Sequence, residues 1–274
     1  MIPIPRSLCG LLVPVGRYGV VHSIENFVAT PFRLRYDLAQ SHKGDLTMRL
    51  ALYSLVVLFA TNIGYTAEKS ATPFNGKDTT GWKLKGAADR SQWKIGKAVI
   101  DPTNEKKLTI TPMSEGGELV NVAGGVDIYT EEKWGDVTVE LEFMVPKGSN
   151  SGIYMMGEYE VQILDSFGKD KIGPGDVGGL YGSAAPKSNA SKAPGEWQKF
   201  VIVFEAPTFE GAKKLKNAKF VKVELNGTVI HENVEVKGPT PSCLTGTESK
   251  TGPLLFQGDH GPVAFRNIKI TPTK

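Results

Sequence analysis

The most informative stretch for chemistry runs from Asn150 to Asp165 and reads NSGIYMMGEYEVQILD. Two apolar runs meet there near Gly157-Glu158. On the second run Tyr159, Val161 and Ile163 fall on one face of a strand and Glu160 and Gln162 on the other, the period-two pattern of extended chain. Asp165 lies outside simple alternation. One extra residue before it, a β-bulge, would return it to the Glu160 face. Glu160, Gln162 and Asp165 then form a polar row on an open sheet face. Two carboxyl groups at such spacing repel when both ionise, which raises one pKa, as general acid–base work requires.

Few other residues compete for a catalytic role. After residue 67 the chain holds two histidines, His231 and His260, and two arginines, Arg90 and Arg266. His260 sits in the turn Gln257-Gly258-Asp259-His260-Gly261-Pro262 between two strand-like runs, where side chains are presented and not packed. His231 follows Val229-Ile230 and is expected on a hairpin surface. Asp259 and His260 with Glu160 are a weak candidate set for a divalent cation, lacking zinc-motif spacing, so no metal ligand is assigned. Arg266 alternates with Phe265 and is expected to face either a cleft carboxylate or solvent. No nucleophile elbow and no phosphate-cradling glycine loop occurs. Trp82, Trp93, Trp134 and Trp197, with Tyr154, Tyr159 and Tyr181, supply rings for core packing or for stacking on a sugar.

The elements that must position these residues are short strands. From Thr72 to Lys274 strand-like runs alternate with turn signals. Val137 to Val145 places apolar residues at odd positions and mostly polar ones at even positions. Val221 to Ile230 reads as strand, Asn226-Gly227 turn and return strand. No run shows sustained helical periodicity. The fold class is all-β, an antiparallel two-sheet jelly-roll sandwich over 72–274. The Gly/Pro/Ser-rich segment from Phe167 to Gly195 is long for a plain connection, so it is expected along the rim of a cleft. Lys213, Lys214, Lys216 and Lys219 read as a solvated hairpin edge.

The first 67 residues are different material. Met48 to Ala67 has one basic residue, Arg49, before an uncharged apolar stretch and then small residues, the layout of a secretory signal peptide cleaved near Ala67. The stretch is too short for a comfortable membrane span, and no Cys follows it to accept a lipid anchor. Residues 1–47 are expected to be an over-extended gene start or a disordered extension. The 274-residue chain carries 32 Lys+Arg and 29 Asp+Glu. Residues 1–67 hold six of the former and three of the latter, so the remainder is neutral. The expectation is an exported protein, periplasmic or extracellular, with no basic footprint for nucleic acid and no stable membrane anchor.

Several separated segments resemble the 3-keto-disaccharide hydrolase domain family, also described as 3-keto-glucoside 1,2-lyase/3-keto-2-hydroxy-glucal hydratase. They are Phe74-Asn75-Gly76-Lys77-Asp78-Thr79-Thr80-Gly81-Trp82, Gly148 to Tyr154, Tyr159 to Asp165, Gly195-Glu196-Trp197 and Asp259 to Ile268. The resemblance spans essentially 72–271 and implies a concanavalin A-like jelly roll. It also implies a substrate class, glycosides or disaccharides already oxidised to a ketone at C3. That ketone acidifies the C2 proton, its removal drives elimination at C1, and hydration of the glucal completes a net hydrolysis. The resemblance thus casts Glu160 or His260 as the base, and Arg266, His260 or a bound cation as the enolate partner. Asp165 assists the leaving group or water, and Gln162, Tyr154 and Asp259 complete the substrate contacts. The Glu160 strand also looks like the ExDxxE motif of laminarinase-type glucanases, with Gln162 and Asp165 as departures that disturb a retaining carboxylate pair. A non-catalytic carbohydrate-binding module is the rival from another class.

Overall fold

A computed structural model describes residues 69–273. The expectations for residues 1–67 lie outside the described residues. Among the described residues fifteen strands form two main antiparallel sheets and one small hairpin. The smaller main sheet has the order β1 (Trp82–Lys85), β5 (Asp127–Thr130), β14 (Leu255–Phe256), β7 (Asn150–Met155) and β8 (Tyr159–Leu164). The larger begins β13 (Thr228–Val236), β12 (Ala218–Leu225), β9 (Gln198–Glu205) and β6 (Val137–Met144). It continues through β15 (Val263–Pro272), β4 (Glu118–Asn121), β2 (Trp93–Asp101) and β3 (Asn104–Thr111). β10 (Thr208–Glu210) and β11 (Lys213–Lys216) make the separate hairpin.

Alternation decides which side chains meet between the sheets. In β6, Val137, Val139, Leu141 and Phe143 are buried while Thr138, Glu140 and Glu142 are half-buried on the other face. The five-stranded sheet answers with Ile128, Ile153, Val161 and Phe256. Phe256 stacks on Phe265 of β15 with ring centroids 3.9 Å apart and meets Trp82 at 5.3 Å. β14 has only two residues, so its ladder bonds alone would hold it weakly; the Phe256 ring wedged between sheets fixes it. Asn226 and Gly227 at the β12–β13 turn both have positive φ, as the sequence signal requires of a two-residue hairpin.

The segment after β8 is built, not loose. Gln162 N–H donates to Gly179 O at 2.9 Å, Gly178 N–H to Gln162 O at 2.8 Å, and Tyr181 N–H to Glu160 O at 3.2 Å. The free edge of β8 is thereby covered. Val177 and Leu180 reach the core. Gly178 has φ +77°, and a Cβ there would lie 2.2 Å from Ile230 Cδ1, so the close approach needs glycine.

His231 corrects the sequence expectation of a surface position. It is buried on β13, and its Nε2 donates to Gly178 O at 2.8 Å. The cause is a register shift: Val223 pairs with His231 but Glu224 with Val229, leaving Ile230 as an extra residue, so two consecutive side chains turn inward. Burial lowers the His231 pKa, which keeps the ring neutral as a clamp on the loop.

Phe256→Ala is expected to cost about 3–5 kcal/mol of unfolding free energy, the usual range for emptying an aromatic core site. Urea denaturation checks it. A loss under about 1 kcal/mol would mean that something other than this ring fixes β14.

Candidate active site

The face of the five-stranded sheet that turns away from the core carries two polar rows. Register places Lys83, Tyr129, Leu255, Tyr154 and Glu160 side by side across the five strands. The next row runs Lys85, Asp127, Gln257, Gly152 and Gln162, with Gln257 joined to Gly152 through its N–H to the Gly152 carbonyl. Between these rows lie the core-facing Leu84, Ile128, Phe256, Ile153 and Val161. Pleating therefore brings titratable groups from β1, β5, β7 and β8 to one surface.

Glu160 stands on β8, the edge strand of this sheet, and is 4% exposed. Burial pushes its pKa up to about 7. A hydrogen bond from Tyr154 and the nearby His260 oppose the rise, while the charges of Asp127 and Asp259 add to it. Glycine at 152 makes room for the carboxylate, because a Cβ there would lie 2.2 Å from Glu160 Oε1. Burial, then Glu160 itself, drive the Tyr154 phenol far above its ordinary pKa, so it keeps its proton and donates it to the carboxylate. Gln257 Nε2 donates to Tyr154 Oη at 3.2 Å, which completes a Gln257–Tyr154–Glu160 chain.

Two loops wall the face. Thr240 Oγ1 accepts the Glu160 N–H at 3.0 Å. Glu158 accepts from Thr245 and Gly246, and Lys85 Nζ donates to Ser242 O at 2.7 Å. The segment 240–246 is thus tied to β1, to β8 and to the β7–β8 turn. A cavity of about 520 Å³ opens at the β8 edge between residues 180–183 and 235–241, and Glu160 belongs to its wall. That volume is in the range of small-ligand sites.

Asp259 and His260 sit in the β14–β15 turn, each nearly half exposed, with His260 Nδ1 bonded to Asp259 Oδ1. Their charges act on Glu160, so this turn and the β8 carboxylate belong to one electrostatic unit. Gln162 is buried beside Glu160, its Nε2 donating to Gly175 O at 3.3 Å.

Two sequence expectations fail. Asp165 does not join the row: β7 and β8 pair without a register shift, β8 ends at Leu164, and no bulge returns Asp165 to the Glu160 face. Its carboxylate instead accepts the Gly148 N–H at 2.8 Å and closes the β6–β7 turn. Arg266 lies on the larger sheet, on the side away from the shared core. It pairs there with Glu142 at 2.7 Å and Glu118 at 3.4 Å, with its guanidinium 4.0 Å from the Trp197 ring centroid. That is a structural cluster outside the sandwich core. Nor do the tryptophans serve the open face. Trp82 and Trp134 are core residues, Trp93 stacks on Phe265, and Trp197 packs under Arg266.

Sequence reasoning missed Asp127, Lys85 and Gln257. Asp127 is buried, accepts the Gly258 N–H at 2.9 Å and pairs with Lys85 at 3.3 Å. It therefore ties the histidine turn to the sheet floor. Among the described residues no three His, Cys, Asp or Glu side chains converge as ligands for a metal ion. Cys243 is half-buried, and burial pushes its thiol up to about 11, far from a reactive thiolate.

A family model described as a 3-keto-alpha-glucoside-1,2-lyase-like domain matches residues 69–271. Two solved structures from Parabacteroides distasonis, each named a "putative glycosyl hydrolase", share the fold. One is 28% identical, with 74% of this chain and 83% of that one covered and a TM-score of 0.57. The other is 19% identical, covers 75% and 94%, and has a TM-score of 0.53. No curated protein matches the sequence.

Two outcomes follow from the Glu160 environment. Gly152→Ala is expected to leave the sandwich folded while displacing the carboxylate, since the clash falls on the end of a movable side chain; a crystal structure of the variant with Glu160 unmoved would refute this. The raised pKa also has a sign for stability. Native Glu160 holds its proton more tightly than the unfolded chain does, so its contribution is present below about pH 4.5 and is lost as pH rises toward about 7. Glu160→Gln should therefore gain stability over the parent across that window, by up to about 3 kcal/mol. Parallel pH–stability curves would contradict it.

Proposed function

Because the chain belongs to the 3-keto-alpha-glucoside-1,2-lyase-like domain family, we propose that it is a carbohydrate-active enzyme that cleaves 3-keto-glycosides. Glu160 takes the C2 proton. The electron pair released forms an enolate with the C3 ketone, then a C1=C2 double bond as the C1–oxygen bond breaks, the leaving oxygen taking a proton from solvent. Water then adds at C1, its released proton going to solvent, and Glu160 returns its proton to C2. The sum is hydrolysis.

The observation that carries this reading is a buried carboxylate of near-neutral pKa in the wall of a cavity of about 520 Å³. A base of pKa about 7 accepts the C2 proton and gives it back with similar ease, which suits an enzyme that both eliminates and hydrates. His260, bonded to Asp259 and acting electrostatically on Glu160, is assigned to the developing enolate oxygen. Tyr154 positions the carboxylate and does not lose its proton. A retaining glucanase mechanism has less support, since Gln162 is neutral and Asp165 is committed to the Gly148 N–H, leaving Glu160 without a carboxylate partner on its strand.

The test is turnover of a 3-keto-glucoside. Glu160→Gln should lose about 10²–10⁴-fold in kcat, with His260→Ala also impaired. Binding without turnover would favour the carbohydrate-binding module, and release of reducing sugar from an unoxidised β-glucan would favour the glucanase. The pH profile is a further check. kcat/KM should climb to a plateau above about pH 7 as Glu160 deprotonates. Asp127→Asn should move that midpoint down, because it removes a negative charge that resists ionisation of Glu160. An unmoved or higher midpoint would assign the profile to another group.

A further inference from the structure

Of the tryptophan and tyrosine rings singled out in the sequence, Tyr181 alone is exposed, at 42%. Its place is set by the chain beside β8. Leu180 bridges Val161 in antiparallel register, so Tyr181 stands opposite Glu160 and shares its outer face. The Tyr181 N–H donates to Glu160 O at 3.2 Å, which fixes the backbone that carries the ring. Tyr181 and Glu160 both line the cavity of about 520 Å³, together with Pro239 and Pro241 of the facing loop.

Two features of this wall limit what fits against it. Its polar side chains are already engaged or lie in solvent. Thr240 Oγ1 accepts the Glu160 N–H, Tyr159 Oη donates to Glu248, and Glu235 accepts from Asn217. Ser183 and Lys237 are exposed. The wall thus offers ring faces without a fixed set of polar groups for the several hydroxyls of a sugar. The second feature is the want of an acid. Among the described residues this wall holds two carboxyl groups, and Glu160 is occupied by the C2 proton. The other, Glu235, is exposed on β13 of the larger sheet.

The sheet order sets the direction of the substrate. The His260 turn follows β14, which lies inward of β8 beyond β7, whereas the cavity opens at the β8 edge. C1 and C3 flank C2 on opposite sides. A sugar ring whose C2 proton meets Glu160 and whose C3 oxygen turns to His260 therefore directs C1 toward the cavity. We infer that this cavity holds the leaving group, that Tyr181 stacks on it, and that the preferred leaving group is an aryl alcohol. This rests on the lyase reading above and extends it to the other half of the substrate. An aryl alcohol presents a flat apolar face to the Tyr181 ring. Its acidity, like that of the tyrosine side chain at about 10, far exceeds that of an alkyl alcohol. The C1–oxygen electron pair leaves on the aryloxide oxygen, which takes its proton from water afterwards, so no protein acid is needed.

The experiment is ligand-observed NMR titration of the full chain with phenyl glucoside, methyl glucoside and a glucosyl-glucose disaccharide, in each anomeric series. None carries the C3 ketone, so binding is read apart from turnover. In the series that binds, phenyl glucoside should bind about five- to tenfold more tightly than the other two, the scale of one aromatic stack. Tyr181→Ala should abolish that preference and Tyr181→Phe should keep it. With the 3-keto forms, the phenyl-over-methyl ratio of kcat/KM should shrink by the same factor in Tyr181→Ala. Equal affinities, a disaccharide bound as tightly as phenyl glucoside, or no binding of phenyl glucoside would overturn the inference. So would a preference that survives in Tyr181→Ala, or a loss of about 10²-fold in turnover in Glu235→Gln, which would supply the missing acid. Turnover of 3-keto methyl glucoside beside equal affinities would sink the inference alone. Tyr181-dependent binding of phenyl glucoside without turnover of either 3-keto sugar would sink the lyase reading and leave the aryl site standing.

Discussion

A carboxylate withdrawn from water is the constraint around which the rest of the site is arranged. Burying Glu160 disfavours its charge, and the protein leaves that cost only partly compensated, with one phenol donating and two further carboxylates near enough to make ionisation harder. A protein selected for stability alone would place Gln there, or an arginine beside it. The neighbouring choices follow. Position 152 is glycine to admit the carboxylate, Tyr154 must keep its proton, and Gln257 must face the phenol with its nitrogen. The loops 178–184 and 240–246 complete the burial by bonding to both backbone polar groups of Glu160.

The scaffold makes such a site inexpensive to hold in place. Antiparallel pleating separates core and outer face by one residue, so Phe256 anchors the two sheets while Gln257 belongs to the outer face. Ile153 likewise packs inward between Gly152 and Tyr154. The turn holding Asp259 and His260 hangs directly from this anchored strand, and Asp127 fastens it through the Gly258 N–H. Rigid strands thus set the Glu160 carboxylate, and a short turn carries the imidazole whose charge acts on it.

Much of this was legible in the sequence, and the failures have physical causes. Period-two alternation in Tyr159–Leu164 identified Glu160 and Gln162 as sharing a face, and the Asn226-Gly227 turn identified its hairpin. Alternation states whether a side chain faces the core, but a sandwich has two outer faces. Arg266 was correctly outside the alternation of the core yet lies on the wrong sheet for the site. Asp165 required a bulge that the β7–β8 ladder lacks. β1 and β5 have four residues each, too few to display a period, so Lys85 and Asp127 had no signal. Gln257 was visible as the start of a turn. Its role depends on Tyr154, a partner 103 residues away.

The central claim is that the Glu160 carboxyl group titrates near neutrality because the fold excludes water from it. The most direct measurement is a ¹³C NMR pH titration of carboxyl resonances in the full chain, with the Glu160 signal assigned by its absence in Glu160→Gln. A midpoint at about 7 is expected. A midpoint at the ordinary glutamate value of about 4.3 would contradict the account, since a carboxylate that ionises freely has no claim to be the base.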